Sequence, residues 1–169
     1  MNRITAYIRQ SLQDIYPPEE VKALSMLICC DMLGVDALDI YMGKDIILSA
    51  CKQRELENII FRLQKNEPIQ YIRGYAEFCG RNFRVAPGVL IPRPETAELV
   101  DLIVKENPDA RRLLDIGTGS GCIAISLDKN LPDAKVDAWD ISEEALAIAR
   151  KNNEELDAQV TFRRQDVFS

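Results

Sequence analysis

The feature that most constrains the fold of this chain is an apolar segment that ends in alternating glycines. Residues 114–116 read Leu-Asp-Ile, and residues 117–121 continue as Gly-Thr-Gly-Ser-Gly. A second apolar segment ends at Asp140, 19 positions after Gly121. Because glycine has no Cβ, such a turn allows a ligand to approach the backbone closely. The pattern therefore predicts a strand, a ligand-binding turn, a helix and a second strand that ends in a carboxylate.

The chain from residue 111 onward alternates between strands and helices. Strands are predicted over 111–116, 135–140 and 159–165, and helices over 121–129 and 143–153. This alternation is typical of an α/β fold with a parallel, doubly wound, Rossmann-like sheet. Three strands in the spatial order 3-2-1 form only the first half of such a sheet and leave the first strand at an exposed edge. We therefore expect the chain to be the N-terminal part of a longer protein.

The first part of the chain reads as helices. Ile4, Ile8 and Leu12 recur at helical spacing, and the prolines at 17 and 18 end that segment. Further helices are predicted over 21–33, 37–42 and 48–65, followed by a hairpin of two short strands at 74–78 and 82–85. The expected domains are a helical bundle over 1–72, a hairpin and linker over 73–95, and an incomplete α/β domain over 96–169.

Composition excludes several classes of function. The net charge of −6 weighs against binding to nucleic-acid phosphates. The chain contains no histidine, which excludes triads of the Ser-His-Asp kind and histidine-ligated metals. Its five cysteines include no C-x-x-C pair, so they are interpreted as buried apolar residues of a cytoplasmic protein and no metal site is expected. No apolar run approaches the roughly 18 residues of a membrane span.

The glycine turn is compatible with two cofactors, a dinucleotide and S-adenosylmethionine. In either case Asp140 can accept hydrogen bonds from ribose hydroxyls. Asp115 lies at the strand end, where a carboxylate can anchor the cationic amino-acid end of S-adenosylmethionine. The glycines also follow G-x-G-x-G rather than the dinucleotide pattern G-x-G-x-x-G. S-adenosylmethionine is therefore preferred over a dinucleotide, and over a tight turn that binds no ligand.

Two residues after the third predicted strand extend this site. Asp166 can accept a hydrogen bond from the adenine amino group, and Phe168 offers a face for stacking. The alternative for this pair is a loop acid beside a core aromatic residue. Trp139 is interpreted as packing at the sheet edge rather than contacting ligand.

Four segments of the chain resemble a known family. They are residues 67–74 (Glu-Pro-Ile-Gln-Tyr-Ile-Arg-Gly), 83–85 (Phe-Arg-Val), 90–96 (Leu-Ile-Pro-Arg-Pro-Glu-Thr) and 115–121 (Asp-Ile-Gly-Thr-Gly-Ser-Gly). The sequence resembles, over its whole length, the protein-(glutamine-N5) methyltransferases of peptide chain release factors, the HemK/PrmC family. The resemblance implies methyl transfer from S-adenosylmethionine to the glutamine amide of a Gly-Gly-Gln motif.

The resemblance also implies roles for individual residues. The helical domain would grip the release factor, and a pocket border would form from Arg93, Pro94, Glu95 and Thr96. Together, the glycine turn, the strand ends and the resemblance give the expected cofactor-binding residues, which are Asp115, Gly117, Thr118, Gly119, Ser120, Gly121, Asp140, Asp166 and Phe168.

One departure of the sequence from the family is decisive. The Asn-Pro-Pro-Tyr segment with which the family holds the substrate amide is absent from the 169 residues. An amide nitrogen is a poor nucleophile, so a site that does not orient it should not methylate it. We expect that segment beyond Ser169 and expect this chain to be inactive alone.

The alternatives to this function are a methyltransferase acting on another protein glutamine or on a nucleic-acid amino group, and a cofactor- or partner-binding module without turnover. A nicotinamide-dependent oxidoreductase is disfavoured because the chain lacks a His or Tyr-x-x-x-Lys acid/base candidate.

Overall fold

The structure, a computed structural model, describes residues 2–168 and divides into two compact units. The first is Met1–Arg73 and the second is Gly74–Ser169. The hairpin therefore belongs by its contacts to the second unit. The recognition role expected for residues 1–72 and the linker role expected within 73–95 stay predictions.

The first unit is built from helices, as its apolar periodicity predicts. Asn2 caps the first of them, since its side-chain oxygen accepts a hydrogen bond of 2.8 Å from the N–H of Ile4. Pro18 occupies the first turn of the second helix, with Glu19 and Glu20 beside it. The fully buried core side chains include Ile8, Leu12, Ile28, Leu56 and Ile59. The helices are α1 (Arg3–Leu12), α2 (Pro18–Met26), α3 (Ala37–Tyr41), α4 (Ala50–Gln64) and α5 (Ile69–Arg73).

Two features of this unit differ from the prediction. The helix expected over 21–33 changes at Leu27–Met32 into a π-helical segment, in which the N–H of Leu33 donates to the carbonyl of Ile28 at 2.9 Å. Helix α5 was not expected. It begins after Pro68, whose carbonyl accepts hydrogen bonds from the N–H groups of Tyr71 and Ile72.

The second unit begins with the predicted hairpin. Strands β1 (Tyr75–Phe78) and β2 (Arg81–Arg84) pair antiparallel. The rings of Phe78 and Phe83 meet edge to face, with their centroids 6.0 Å apart. Helix α6 (Pro94–Glu106) follows and packs against the next helix of the unit.

The remaining elements form a three-stranded parallel sheet in the order β3-β4-β5, which confirms the predicted order. Leu113, Val136, Ala138 and Phe162 pack with the helices on one face of this sheet. On the other face of β3, Leu114 and Ile116 are 47% and 56% exposed. The elements are β3 (Arg112–Ile116), α7 (Cys122–Asn130), β4 (Lys135–Asp140), α8 (Glu143–Glu155) and β5 (Thr161–Arg164).

The cysteines agree only in part with their interpretation as buried apolar residues. Cys29 and Cys122 are buried, and burial raises the pKa of each thiol to about 11. Cys30 and Cys79 are half-buried, whereas Cys51 is exposed because α4 turns it away from the core. Separately, none of the helices described between residues 2 and 168 combines the length and the apolar character needed to cross a bilayer.

Candidate cofactor-binding site

The candidate site is the turn that joins β3 to α7. Its three glycines all have left-handed backbone angles, with φ values of 76° at Gly117, 56° at Gly119 and 80° at Gly121. Side chains with a Cβ are strained in this region, whereas glycine adopts it readily. Alternating glycine therefore produces the repeated reversal of the chain that the turn requires.

The backbone of the turn is held by the end of the neighbouring strand. The carbonyl oxygen of Trp139 accepts hydrogen bonds from the N–H groups of Gly117 and Thr118, at 2.9 and 3.0 Å. Within the turn, the N–H of Gly121 donates to the carbonyl of Thr118 at 2.8 Å. Several N–H groups that could have bound a phosphate are thus already paired with acceptors of the protein.

Asp140 faces the turn. Its Oδ2 atom accepts a hydrogen bond of 2.8 Å from the N–H of Gly119, and its Oδ1 atom accepts one of 2.9 Å from the N–H of Ser142. Ser142 in turn caps α8, with its hydroxyl accepting from the N–H of Ala145. Each carboxylate oxygen keeps further acceptor capacity.

Asp115 provides a second carboxylate beside the turn. The hydroxyl of Thr118 donates to its Oδ2 atom at 2.6 Å. Burial raises the pKa of the Asp115 carboxyl above its usual range, and the nearby charge of Asp140 acts in the same direction, while hydrogen bonds from Thr118 and from the N–H of Ala124 oppose the rise. Two carboxylates close together favour a positively charged ligand.

Helix α8 packs directly behind the turn. A Cβ placed on Gly121 would lie 3.2 Å from the Cβ of Ala149 and 3.2 Å from the Cδ1 of Ile125, so a larger residue there would require these side chains to shift by a few tenths of an ångström. Ser120 is buried, and its carbonyl accepts a hydrogen bond of 2.8 Å from the side chain of Asn152. Sequence reasoning missed Asn152. The available signal was its helical spacing from Ala145 and Ala149, which places a polar residue on the buried face of α8.

The residues after β5 start beside Asp140 but do not enclose the site. The N–H of Gln165 donates to the carbonyl of Asp140 at 3.0 Å. The side chain of Asp166 accepts a hydrogen bond of 2.9 Å from the N–H of Phe168, whose own side chain is 97% exposed. The adenine contacts of Asp166 and Phe168 therefore stay predictions.

The predicted pocket border lies at the start of α6. Arg93 is the residue before the helix, Pro94 and Glu95 belong to its first turn, and the N–H of Thr96 donates to the carbonyl of Arg93 at 3.0 Å. The first three of these residues are exposed. Their role at the border of a pocket stays a prediction.

Comparison with known proteins matches each unit to a family model. Residues 4–74 match the PrmC N-terminal domain, and residues 95–169 match the methyltransferase small domain. A release factor glutamine methyltransferase of Flavobacterium psychrophilum is 40% identical over 164 residues, covering 94% of this chain and 58% of the relative. The chain belongs to the HemK/PrmC family. A second HemK/PrmC relative, the release factor glutamine methyltransferase of Koribacter versatilis, is 50% identical over 139 residues, covering 81% of this chain and 50% of the relative.

The chain spans about half the length of the curated HemK/PrmC relatives that it matches. Its structure is also similar to a tRNA (uracil-54, C5)-methyltransferase of Pyrococcus abyssi solved with S-adenosyl-L-homocysteine, at a TM-score of 0.46 and 22% identity over 54% of this chain and 23% of that one. Because this similarity covers only part of each chain, the fold is assigned from the strand order of this chain alone.

Proposed function

We propose that this chain carries the cofactor-binding half of an S-adenosylmethionine-dependent methyltransferase that modifies the glutamine side chain of peptide chain release factors. The proposal rests on two features of the glycine turn that occur together. Most of its backbone N–H groups already donate to acceptors of the protein, and two carboxylates border it. Asp115 and Asp140 supply these carboxylates.

The charge of the site supports a cationic ligand over a dinucleotide. A pyrophosphate is bound by free N–H groups at a helix N-terminus. Here the N–H groups of Gly117, Thr118 and Gly119 already donate to acceptors of the protein. A sulfonium and an ammonium group are both cationic, so neighbouring carboxylates attract them.

Within this proposal each residue has a defined task. The carboxylate oxygens of Asp140 accept hydrogen bonds from the ribose hydroxyls of the cofactor. Asp115 attracts the ammonium group at its amino-acid end. The turn from Gly117 to Gly121 allows close approach, and Asp166 and Phe168 receive the adenine. The cofactor supplies an electrophilic methyl group, and the chain's own residues bind and orient it.

The choice of release factors as substrates follows from the relatives. Three relatives that are 40–50% identical to the chain are named release factor glutamine methyltransferases. The helical unit would contact the release factor, and the enzyme would work in the cytoplasm, where release factors meet ribosomes. Methylation of a glutamine amide also requires acceptors that hold the amide and aim its nitrogen. The 169 residues contain no Asn-Pro-Pro-Tyr segment to do so, and we propose that this chain alone binds cofactor without turnover.

The cofactor is tested by calorimetric titration of the chain with S-adenosylmethionine, S-adenosylhomocysteine and NAD. We expect both sulfur nucleosides to bind and NAD to bind more weakly. The variant Asp140→Ala should abolish binding of the first two. Tighter binding of NAD would overturn the cofactor assignment.

The substrate is tested with labelled S-adenosylmethionine and a purified release factor. This chain alone should transfer no label. The same chain continued by the C-terminal part of the Flavobacterium psychrophilum relative should label the release factor. A release factor with alanine in place of the Gly-Gly-Gln glutamine should stay unlabelled. Label on that variant, or on RNA instead, would favour one of the other methyltransferase substrates.

A further inference from the structure

One buried side chain, that of Asn152, joins three elements of the second unit. It lies on α8 and is 1% exposed. Its Nδ2 atom donates to the carbonyl of Ser120 at 2.8 Å and to the carbonyl of Arg84 at 3.1 Å. Its Oδ1 atom accepts from the N–H of Arg84 at 2.6 Å. The glycine turn, strand β2 and helix α8 therefore meet at one carboxamide.

The peptide unit between Ser120 and Gly121 is fixed at both ends. Its carbonyl accepts from Asn152, and its N–H donates to the carbonyl of Thr118 at 2.8 Å. A peptide group held at both its donor and its acceptor cannot rotate without losing one of these bonds. The end of the turn is thus held by Asn152, while its middle is held by the bond between Gly119 and Asp140.

The same carboxamide pairs with the free edge of the hairpin. β2 pairs with β1 on one side, and Asn152 meets the N–H and the carbonyl of Arg84 as a neighbouring strand would. A carboxamide has two N–H donors and an acceptor oxygen, and all three take part here. Neither a carboxylate nor a hydroxyl can make this set, because a carboxylate has no N–H and a hydroxyl has one hydrogen.

We infer that Asn152 is a positioning residue of the cofactor site, which sets the geometry of the glycine turn from behind and couples it to the hairpin. The inference rests on the proposed cofactor binding. Asn152 is buried and acts through Ser120 rather than by touching a ligand. Without it, the carbonyl of Ser120 loses this partner, and the end of the turn is no longer fixed relative to Gly119 and Asp140.

The test compares three variants of the chain by calorimetric titration with S-adenosylhomocysteine. Asn152→Leu keeps the branched shape and the number of side-chain heavy atoms, although its methyl groups are larger, and it removes all three hydrogen bonds. Glu155→Gln, one helical turn further, weakens only the ion pair between its carboxylate and Arg84, whose Nη2 lies 2.7 Å from the Glu155 Oε1. Val100→Ala opens a cavity in the core of the same unit and serves as a control for lost stability.

All titrations are made at a temperature where circular dichroism shows each variant to be folded. We expect Asn152→Leu to weaken binding by at least about tenfold, since small misplacements of a site have effects of this size or larger. Glu155→Gln and Val100→Ala should stay within about twofold of the unsubstituted chain. If Asn152→Leu does not fold, Asn152→Ser replaces it with the same expectation. Unchanged binding by the Asn152 variant, or equal weakening by Val100→Ala, would overturn the inference.

Amide hydrogen exchange on the ligand-free chain separates this inference from the proposed function. The Asn152 variant should speed exchange in residues 117–121 and 81–85 together, and Val100→Ala should leave 117–121 unchanged. If the unsubstituted chain binds no sulfur nucleoside, the proposed function fails. Hydrogen exchange then decides whether Asn152 positions the turn. Faster exchange in residues 117–121 of the Asn152 variant supports this role, and unchanged exchange there contradicts it.

Discussion

The N–H of Gly119 donates to the Oδ2 atom of Asp140 across 2.8 Å, so a carboxylate at the end of β4 holds the turn that follows β3. The two strands are parallel neighbours, which brings their carboxyl ends to the same edge of the sheet. The other oxygen of Asp140 accepts from the N–H of Ser142 at the start of α8. One side chain therefore links the turn, a strand and a helix, and its loss should affect stability as well as ligand binding.

Asp140→Ala leaves the N–H groups of Gly119 and Ser142 without their acceptor. We expect unfolding free energy to fall by about 1–3 kcal/mol and binding of S-adenosylhomocysteine to be lost. Urea denaturation and calorimetric titration measure the two effects. Asp137→Ala is the matched control, since Asp137 lies on the same strand and its carboxylate forms a 3.7 Å ion pair with the largely exposed Arg163. Equal losses in the two variants would contradict the role given to Asp140.

Gly121 and Gly117 have similar backbone angles but different surroundings. A Cβ on Gly121 would lie 3.2 Å from two side-chain carbons, whereas a Cβ on Gly117 would meet no atom within 4 Å. Gly117→Ala should therefore cost about 1–2 kcal/mol, the strain of a left-handed residue. Gly121→Ala should cost about 1–3 kcal/mol more, because it also overpacks the contact with α8. Urea denaturation of both variants measures the difference, and equal values would show that Ala149 and Ile125 yield without cost.

The pKa of Asp115 is raised by burial, which gives ligand binding a defined pH dependence. A cation bound beside this carboxyl favours its ionised form and lowers its pKa, so the site releases a proton on binding. Affinity for S-adenosylmethionine should rise as pH rises from about 4, where an ordinary aspartate ionises. Calorimetry in buffers of different ionisation enthalpy should detect the proton released at acidic pH, and its absence would mean that Asp115 does not sense the cation.

In the ligand-free chain, the raised pKa of Asp115 makes the free energy of unfolding fall as pH rises, whereas ligand affinity rises. The folded state holds the proton to higher pH than the unfolded state does, so the unfolded state binds fewer protons over this interval. Stability from this group is therefore present at low pH and is lost as pH rises through the folded pKa. Asp115→Asn should flatten that part of the profile of unfolding free energy against pH. A profile unchanged by the substitution would assign the dependence to other carboxyls.

Much of the fold follows from local pattern. The bounds of β4 are those predicted, and α8 begins at the predicted residue 143, because apolar periodicity acts over a few residues. The π-helical turn at Leu27–Met32 was missed because its apolar run fits an α-helix equally well. Helix α5 was missed because it has only five residues, too few for a helical periodicity to be recognised.

The interior of the candidate site was less predictable. The sequence predicted that Asp115, Asp140 and the glycines of the turn form one site, and the structure brings them together. The use of Gly119 N–H by Asp140 could not be predicted, since it depends on the register of two strands. The role of Asn152 depends on residues 32 and 68 positions away, and no local pattern carries contacts over such distances.

Leu113 and Leu114 are adjacent on β3 and face opposite sides of the sheet. Leu113 packs against the core, whereas Leu114 is 47% exposed and lies beside Asp137 in the strand register. Leu114→Lys places a cation next to that carboxylate and removes apolar surface from water. We expect unfolding free energy to change by no more than about 0.5 kcal/mol, and dye binding by the sheet face and light scattering to fall. Leu113→Lys buries a charge and should prevent folding. If Leu114→Lys destabilised the chain as strongly as Leu113→Lys, this face of the sheet would have to be covered in solution rather than exposed.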